Sequence, residues 1–300
     1  MPSQLPGPGT VFLDHVAHFV PAMDMAAAAL ERCGFRLTPF TAQANRVEGA
    51  AVPTGTGNRC AMLRRGYLEI LTATPTVAGD TELARQLRER IADHVGLHLA
   101  AFSSANAAAE HRRIADARFA TLPLVEMRRP VMTEAGSEDA RFTIARTAPG
   151  SMAEGRVQFL THHTEPLIWR QGFLDHPNGA QALTGLWIAA ADPAEPAARF
   201  ARFAGRPATR DGAVTTIALD RGAVHVAGPE FLAEALGITP AGRLPCFVAA
   251  QIAVTSLAGL AAYLGAAGLP YRRVRLKAEG DAIAVTLPAA IGDTMLFHAA

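Results

Sequence analysis

Leu13-Asp14-His15-Val16-Ala17-His18-Phe19-Val20 is the stretch that decides how this chain folds. It is a short apolar run with Gly7-Pro8-Gly9 before it and Pro21 after it, a bounded pattern that predicts a β-strand. Residues Met23 to Arg32 follow with helical spacing, and Gly34 stands where a helix end is expected. Period-2 alternation puts Leu13, His15, Ala17 and Phe19 on one face, and Asp14, Val16, His18 and Val20 on the other. One histidine is thus expected to face a concave sheet surface, with His18 pointing outward to solvent or an interface. An imidazole inside an apolar strand needs a partner, because an unpaired buried polar group costs about 1–3 kcal/mol.

Further along, Phe35 to Phe40 reads as a second strand and Asn45 to Asn58, rich in Gly, Pro and Asn, as a loop. Arg59 to Arg64 and Tyr67 to Leu71 read as strands, and Thr81 to Asp93 as a connecting helix capped by Thr81. The same order of strand, helix and three strands then recurs. Its openings are Val95–Phe102, Leu183–Ala190 and Phe247–Val254, at a spacing of roughly 70–90 residues. In the second unit the later strands are Leu122 to Arg128, Arg141 to Thr147 and Arg156 to His162, with a loop around Gly136-Ser137-Glu138-Asp139. The expected class is α+β with four βαβββ modules. Gly172, Pro177 and Gly179 mark residues 171–182 as a linker between domains 1–170 and 183–300.

The chain has 300 residues, half of them hydrophobic and 18% charged, enough for a substantial core. A net charge of +1, with scattered arginines and the single lysine Lys277, argues against a nucleic-acid surface. Cys33, Cys60 and Cys246 are odd in number and lack metal-type spacing, which fits reduced thiols in the cytoplasm. The N-terminus lacks the basic and apolar segments of a signal peptide, and no apolar run approaches the ~18–20 residues of a membrane span. Neither a Gly-x-Ser-x-Gly element nor a phosphate-cradling loop is present, since Gly55-Thr56-Gly57 precedes no helix.

Four βαβββ units resemble the vicinal oxygen chelate superfamily over essentially the whole chain. More narrowly, Leu13-Asp14-His15-Val16, Gly57-Asn58-Arg59 and Tyr67-Leu68-Glu69-Ile70-Leu71 look like its glyoxalase-like domain proteins. The resemblance implies two tandem half-barrel domains, each a curled pair of modules. It also implies a divalent metal held inside a half-barrel by first and fourth strands, chelated by adjacent oxygens of a small substrate.

On that resemblance His15 and Glu69 take the first- and fourth-strand ligand positions, a pair suited to zinc, manganese, iron or nickel. Glu69 would double as the catalytic carboxylate. From the residues alone, His15 could equally bond a backbone carbonyl and Glu69 pair with an arginine. The second module would add His98 and, from a fourth strand without a carboxylate in its body, His162 or its neighbour His163. That missing carboxylate departs from the glyoxalase I pattern. His15, His98 and Glu69 also meet the two-His, one-carboxylate count of an extradiol dioxygenase. Asn58, Arg59, Tyr67 and His176 are expected to meet the substrate. In the second half, His225 and His298 lie on fourth strands, but Gly185-Leu186-Trp187 and Ala250-Gln251-Ile252 offer no first-strand histidine. That half is expected to be degenerate and to support the first or make a homodimer contact. The implied activity is a metal-dependent lyase, isomerase or dioxygenase, and the alternatives are a metal-free binder of the bleomycin-resistance type or a scaffold without ligand.

Overall fold

The computed structural model describes residues 4–48, 50–75, 81–133 and 136–300. The first module comprises β1 (Val11–Phe19), α1 (Met23–Arg32), β2 (Thr41–Val47), β3 (Ala50–Met62) and β4 (Tyr67–Ala73). Helix α2 (Glu82–Asp93) leads to the second, with β5 (Gly96–Ser104), α3 (Ala107–Asp116), β6 (Val125–Thr133), β7 (Gly136–Arg146) and β8 (Arg156–His162). After the single turn α4 (Glu165–Ile168), the third module has β9 (Ala180–Ala189), α5 (Ala194–Ala204), β10 (Ala208–Asp211), β11 (Val214–Ala218) and β12 (Ala223–Ala227). A helical segment over residues 229–236, which starts as α6 (Pro229–Phe231), precedes the fourth module. That module holds β13 (Cys246–Val254), α7 (Leu257–Ala266), β14 (Arg272–Leu276), β15 (Gly280–Thr286) and β16 (Thr294–Ala299).

The strands form two eight-stranded sheets of identical plan, β2-β3-β4-β1-β5-β8-β7-β6 and β10-β11-β12-β9-β13-β16-β15-β14. This is the expected α+β architecture of two tandem glyoxalase-like domains. The first sheet curls until its edges β2 and β6 touch, a near-barrel, whereas the second is a half-barrel. Strand β9 begins at Ala180, inside the span expected to be linker.

Apolar residues on the outer faces of both sheets share one core with α1, α3, α5 and α7. Phe203 of α5 stacks on Phe159 at 5.0 Å and meets Phe102 at 5.6 Å, so a helix of the second half covers the first sheet. Burying such a ring contributes about 3 kcal/mol of transfer free energy. Arg199 of α5 adds a bidentate, buried pair to Glu154 at 2.8 and 2.9 Å. Among the described residues, no helix is long and apolar enough to cross a membrane.

Two readings of the sequence are corrected. Of the segments expected as loops, residues 45–47 and 50–58 and those around Gly136 to Asp139 are strand, belonging to the β2–β3 and β6–β7 hairpins, and Phe35 to Phe40 is not strand. The inner face of the first hairpin lines a polar cavity instead of a core, so its residues Gln43, Thr54, Thr56 and Asn58 hide the apolar alternation of a strand. Gly55, at φ +73°, also suits a loop, but here it brings β3 under Thr81, where a Cβ would lie 2.4 Å from the Thr81 hydroxyl. The second correction concerns β1. Its pairing with β5 slips between Leu13 and His15, and this bulge moves Leu13 to the outer core and turns Asp14 inward.

Candidate functional site

Strand register places the site. On the inner face of the first sheet, Cys60, Glu69, Ala17, Leu99 and Arg156 lie side by side on β3, β4, β1, β5 and β8. The next row is Met62, Tyr67, His15, Ala101, Gln158 and Arg146. These rows open on a cavity of about 150 Å³, with a floor of Leu71, Leu99, Ile144 and Leu160. His15, Asn58, Tyr67 and Glu69, all singled out from the sequence, line it.

His15 is oriented from behind. Its Nδ1 donates to Asp14 Oδ1 at 2.8 Å, and its ring stacks on Tyr67 at 4.3 Å, which directs Nε2 into the cavity 3.9 Å from Glu69 Oε2. Asp14 is wholly buried and also accepts from His162 Nε2 at 3.0 Å. Burial pushes the Asp14 carboxyl up, but the charge and hydrogen bonds of His162 and His15 outweigh it and hold the group well below the usual carboxylate range. Glu69 Oε1 accepts from Asn58 Nδ2 at 2.5 Å and Gln43 Nε2 at 3.3 Å, and Gln43 is itself held by Thr56 at 2.8 Å. One carboxylate oxygen is thus committed and the other faces His15. Burial raises the Tyr67 phenol well above its ordinary value, and the nearby carboxylates Asp14 and Glu69 add to the shift.

The other expected site residues lie elsewhere. His98 falls on the far side of its strand from Leu99, its ring tilted against His94 at 4.1 Å and its Nε2 on the His94 carbonyl at 2.8 Å. His162 supports Asp14 from beyond the cavity, beside Trp169 at 4.9 Å, and His163 bonds Thr143 at 2.7 Å. Arg59 points outward to Glu31 at 2.9 Å. His176 ties the inter-domain segment to β3, donating from Nε2 to the Met62 carbonyl at 2.8 Å and accepting from the Arg36 amide at 3.0 Å. His18 is fully buried, not outward at a surface.

The four positions of a two-module metal site follow from the register. Glu69 lies opposite Ala17, and in the second module Gln158 lies opposite Ala101, so Gln158 is the counterpart of Glu69 and Leu99 that of His15. The donors are therefore one imidazole, one half-committed carboxylate, an amide and an alkyl group. Among the described residues no group of three or more His, Cys, Asp or Glu could hold a metal ion. Catalytic zinc sites use three protein ligands, so this set does not fit a resident divalent ion. In the second half the same positions carry Gly185, His225, Ala249 and Leu296.

Sequence reading missed Asp14, Gln43 and the cavity arginines Arg129, Arg146 and Arg156. Alternation carried a signal for one of them, because Arg156 shares a strand face with Gln158, Leu160 and His162.

A family model described as a glyoxalase-like domain matches residues 13–204. That span ends with α5, the helix covering the first sheet. A sequence search of the curated proteins finds no significant match. Among solved structures, a hypothetical protein from Staphylococcus aureus aligns at TM-score 0.63 and 10% identity, covering 97% of this chain and 99% of its own. A mutant 4-hydroxymandelate synthase from Streptomyces coelicolor aligns at 0.60 and 13%, covering 96% and 93%. A catechol 2,3-dioxygenase aligns at 0.53 and 11%, covering 97% and 93%. At these identities the likeness is one of fold.

Proposed function

Because the chain belongs to the glyoxalase-like domain family, we propose that its first barrel transforms a small oxygen-bearing substrate by acid–base chemistry centred on His15. The observation that carries this reading is the relay Asp14–His15–Glu69. An ionised, buried Asp14 fixes the tautomer of His15 with its proton on Nδ1, leaving Nε2 as the basic atom at the cavity wall. Glu69 stands within reach of the same substrate atom, so a proton taken at one group can be returned by the other. A carbon acid beside a carbonyl is the substrate type such a pair handles. The metal-dependent lyase, isomerase or dioxygenase reading keeps His15 and Glu69 but lacks the other protein ligands.

The test is deuterium wash-in from heavy water into small hydroxycarbonyl and 2-oxo compounds, followed by proton NMR with elemental analysis of the same protein. The expected result is exchange that survives a chelator, falls at least 100-fold in His15→Ala and at least 10-fold in Glu69→Gln, without stoichiometric transition metal. Near one equivalent of metal, lost in His15→Ala together with activity, would restore the metal reading. Leu99 and Gln158, where a metal enzyme would need donors, favour a second reading as a binding protein. Ligand binding without any exchange is its signature.

A further inference from the structure

The cavity holds more positive charge than the relay uses. Arg146 and Arg156 stand on neighbouring strands at the junction between the 150 Å³ cavity and an adjoining cleft of about 350 Å³. Neither forms an ion pair among the described residues. Among the described residues the Arg156 side chain has one hydrogen bond, to the neutral Gln86 side chain at 3.3 Å, and Arg146 Nε is buried without a partner. The acidic residues lining the cleft are engaged elsewhere, with Glu82 and Glu89 both on Arg85. Glu69, the one carboxylate among the described lining residues, has Oε1 on Asn58 and Gln43 and Oε2 facing His15, and Arg129 adds a third guanidinium. Burial lowers Arg156 to about 10, the Arg146 charge deepens the shift and Glu69 opposes it, while burial alone lowers Arg146.

Half-buried guanidiniums around one cavity repel one another unless an anion joins them, and their planar forks suit a carboxylate. We propose that Arg146 and Arg156 form a carboxylate subsite, so that the ligand of the first barrel is a small organic acid with an apolar body. The acid group sits at the mouth between cavity and cleft, and the body lies on Leu71, Leu99, Ile144 and Leu160. The opposite end of the ligand then meets His15 and Glu69. A cavity of this volume takes a body of about one six-membered ring, since a comparable engineered cavity holds benzene. This deepens the catalytic reading above and rests on the same cavity, but it concerns binding and is tested separately from turnover.

The experiment is calorimetric titration of the full chain with benzoate and with its neutral counterpart benzamide, beside Arg156→Gln, Arg146→Gln and His15→Ala. The expected result is benzoate binding at least 10-fold tighter than benzamide. Either arginine variant should weaken benzoate at least 10-fold and leave benzamide within about 2-fold, while His15→Ala retains the preference. Thermal melting of the ligand-free variants separates a structural role: an uncompensated cation replaced by Gln should leave Tm unchanged or raised. Equal affinity for both compounds, no benzoate binding at 10 mM, or variants that lose Tm without losing the benzoate preference would overturn the subsite. Benzoate binding intact with no deuterium exchange on any substrate would leave the subsite standing and remove the catalytic reading.

Discussion

The two barrels have the same strand order and the same register, yet one holds a cavity and the other a core. In the second, Trp187 fills the inner face, donates to Gln251 at 2.9 Å and carries the stacked ring of His225 at 4.5 Å. Leu232, Leu236 and Ile238, from the helical segment ahead of β13 and the residues after it, close this barrel against Leu276 and Leu296. In the first, α2 sends Leu87 and the partly buried Ile91 into the inner cluster, and a polar hairpin lines the other side. The outer faces explain why both arrangements survive. Both sheets are held from behind by the shared core, so the inner face is free to be polar in one copy and apolar in the other. The candidate site sits where burial is not needed to hold the fold.

The sharpest way to break this contrast is to truncate the equivalent residues Leu296 and Gln158. Leu296→Ala opens a void in a filled barrel and is expected to cost about 2–5 kcal/mol. Gln158→Ala enlarges an existing cavity, and the Gln158 side chain has no hydrogen bond among the described residues, so a cost below about 1 kcal/mol is expected. Denaturant unfolding with unchanged m-values measures both. Equal costs would mean that the first cavity is collapsed in solution.

Within the first barrel, the polar support of His15 is worth more than any group at the cavity surface. Asp14→Ala leaves His15 Nδ1 and His162 Nε2 without their acceptor in a buried setting. Two charge-assisted hydrogen bonds at about 1.5 kcal/mol each put the loss near 3 kcal/mol. A loss below about 1 kcal/mol would show that water replaces the carboxylate and that His15 is not held from behind.

The repeated element order was legible because outward-facing apolar residues keep a strand's period in every module. His15, Glu69, Asn58 and Tyr67 were legible for a related reason, since polar groups in otherwise apolar strands stand out. Asp14 was not, because a one-residue bulge in β1 reverses the side to which alternation assigns it. His98 was misplaced by one residue, and that is enough to put a strand side chain on the opposite face. Arg146 and Arg156 looked like two more scattered arginines in an arginine-rich chain. Only strand register and the curl of the sheet, with contacts between β2 and β6 far apart in sequence, bring both to one cavity and Arg156 under the influence of Glu69.

The smallest effect belongs to the seam between the halves, where His18, His94 and His98 gather and Asp293 of the second half accepts the Leu97 amide. Burial, with His98 and His94 nearby, lowers His18 to about 3, and burial with His94 nearby lowers His98 to about 3. Each binds fewer protons folded than unfolded, where a histidine titrates near 6.5, so its stabilising contribution is full above about pH 6.5 and is lost as pH falls from there towards 3. The slope is about 1.4 kcal/mol per pH unit for each histidine. Asp293 is raised to about 7 by burial and works in the opposite sense, contributing below the unfolded value near 3.9 and losing that contribution as pH rises through 7. Between pH 6 and 5 the histidines outweigh the carboxyl, because burial also lowers His94 and lowers His225 to about 4, so stability should fall over this interval. His18→Leu removes one of these histidines, so its stability should fall by about 1.4 kcal/mol less than the parent's over the same interval. It should also exceed the parent at pH 7, because both ring nitrogens of His18 are buried without partners. Parallel pH slopes for the two proteins, read from denaturant midpoints, would show that the seam admits water and that His18 titrates as an exposed residue does.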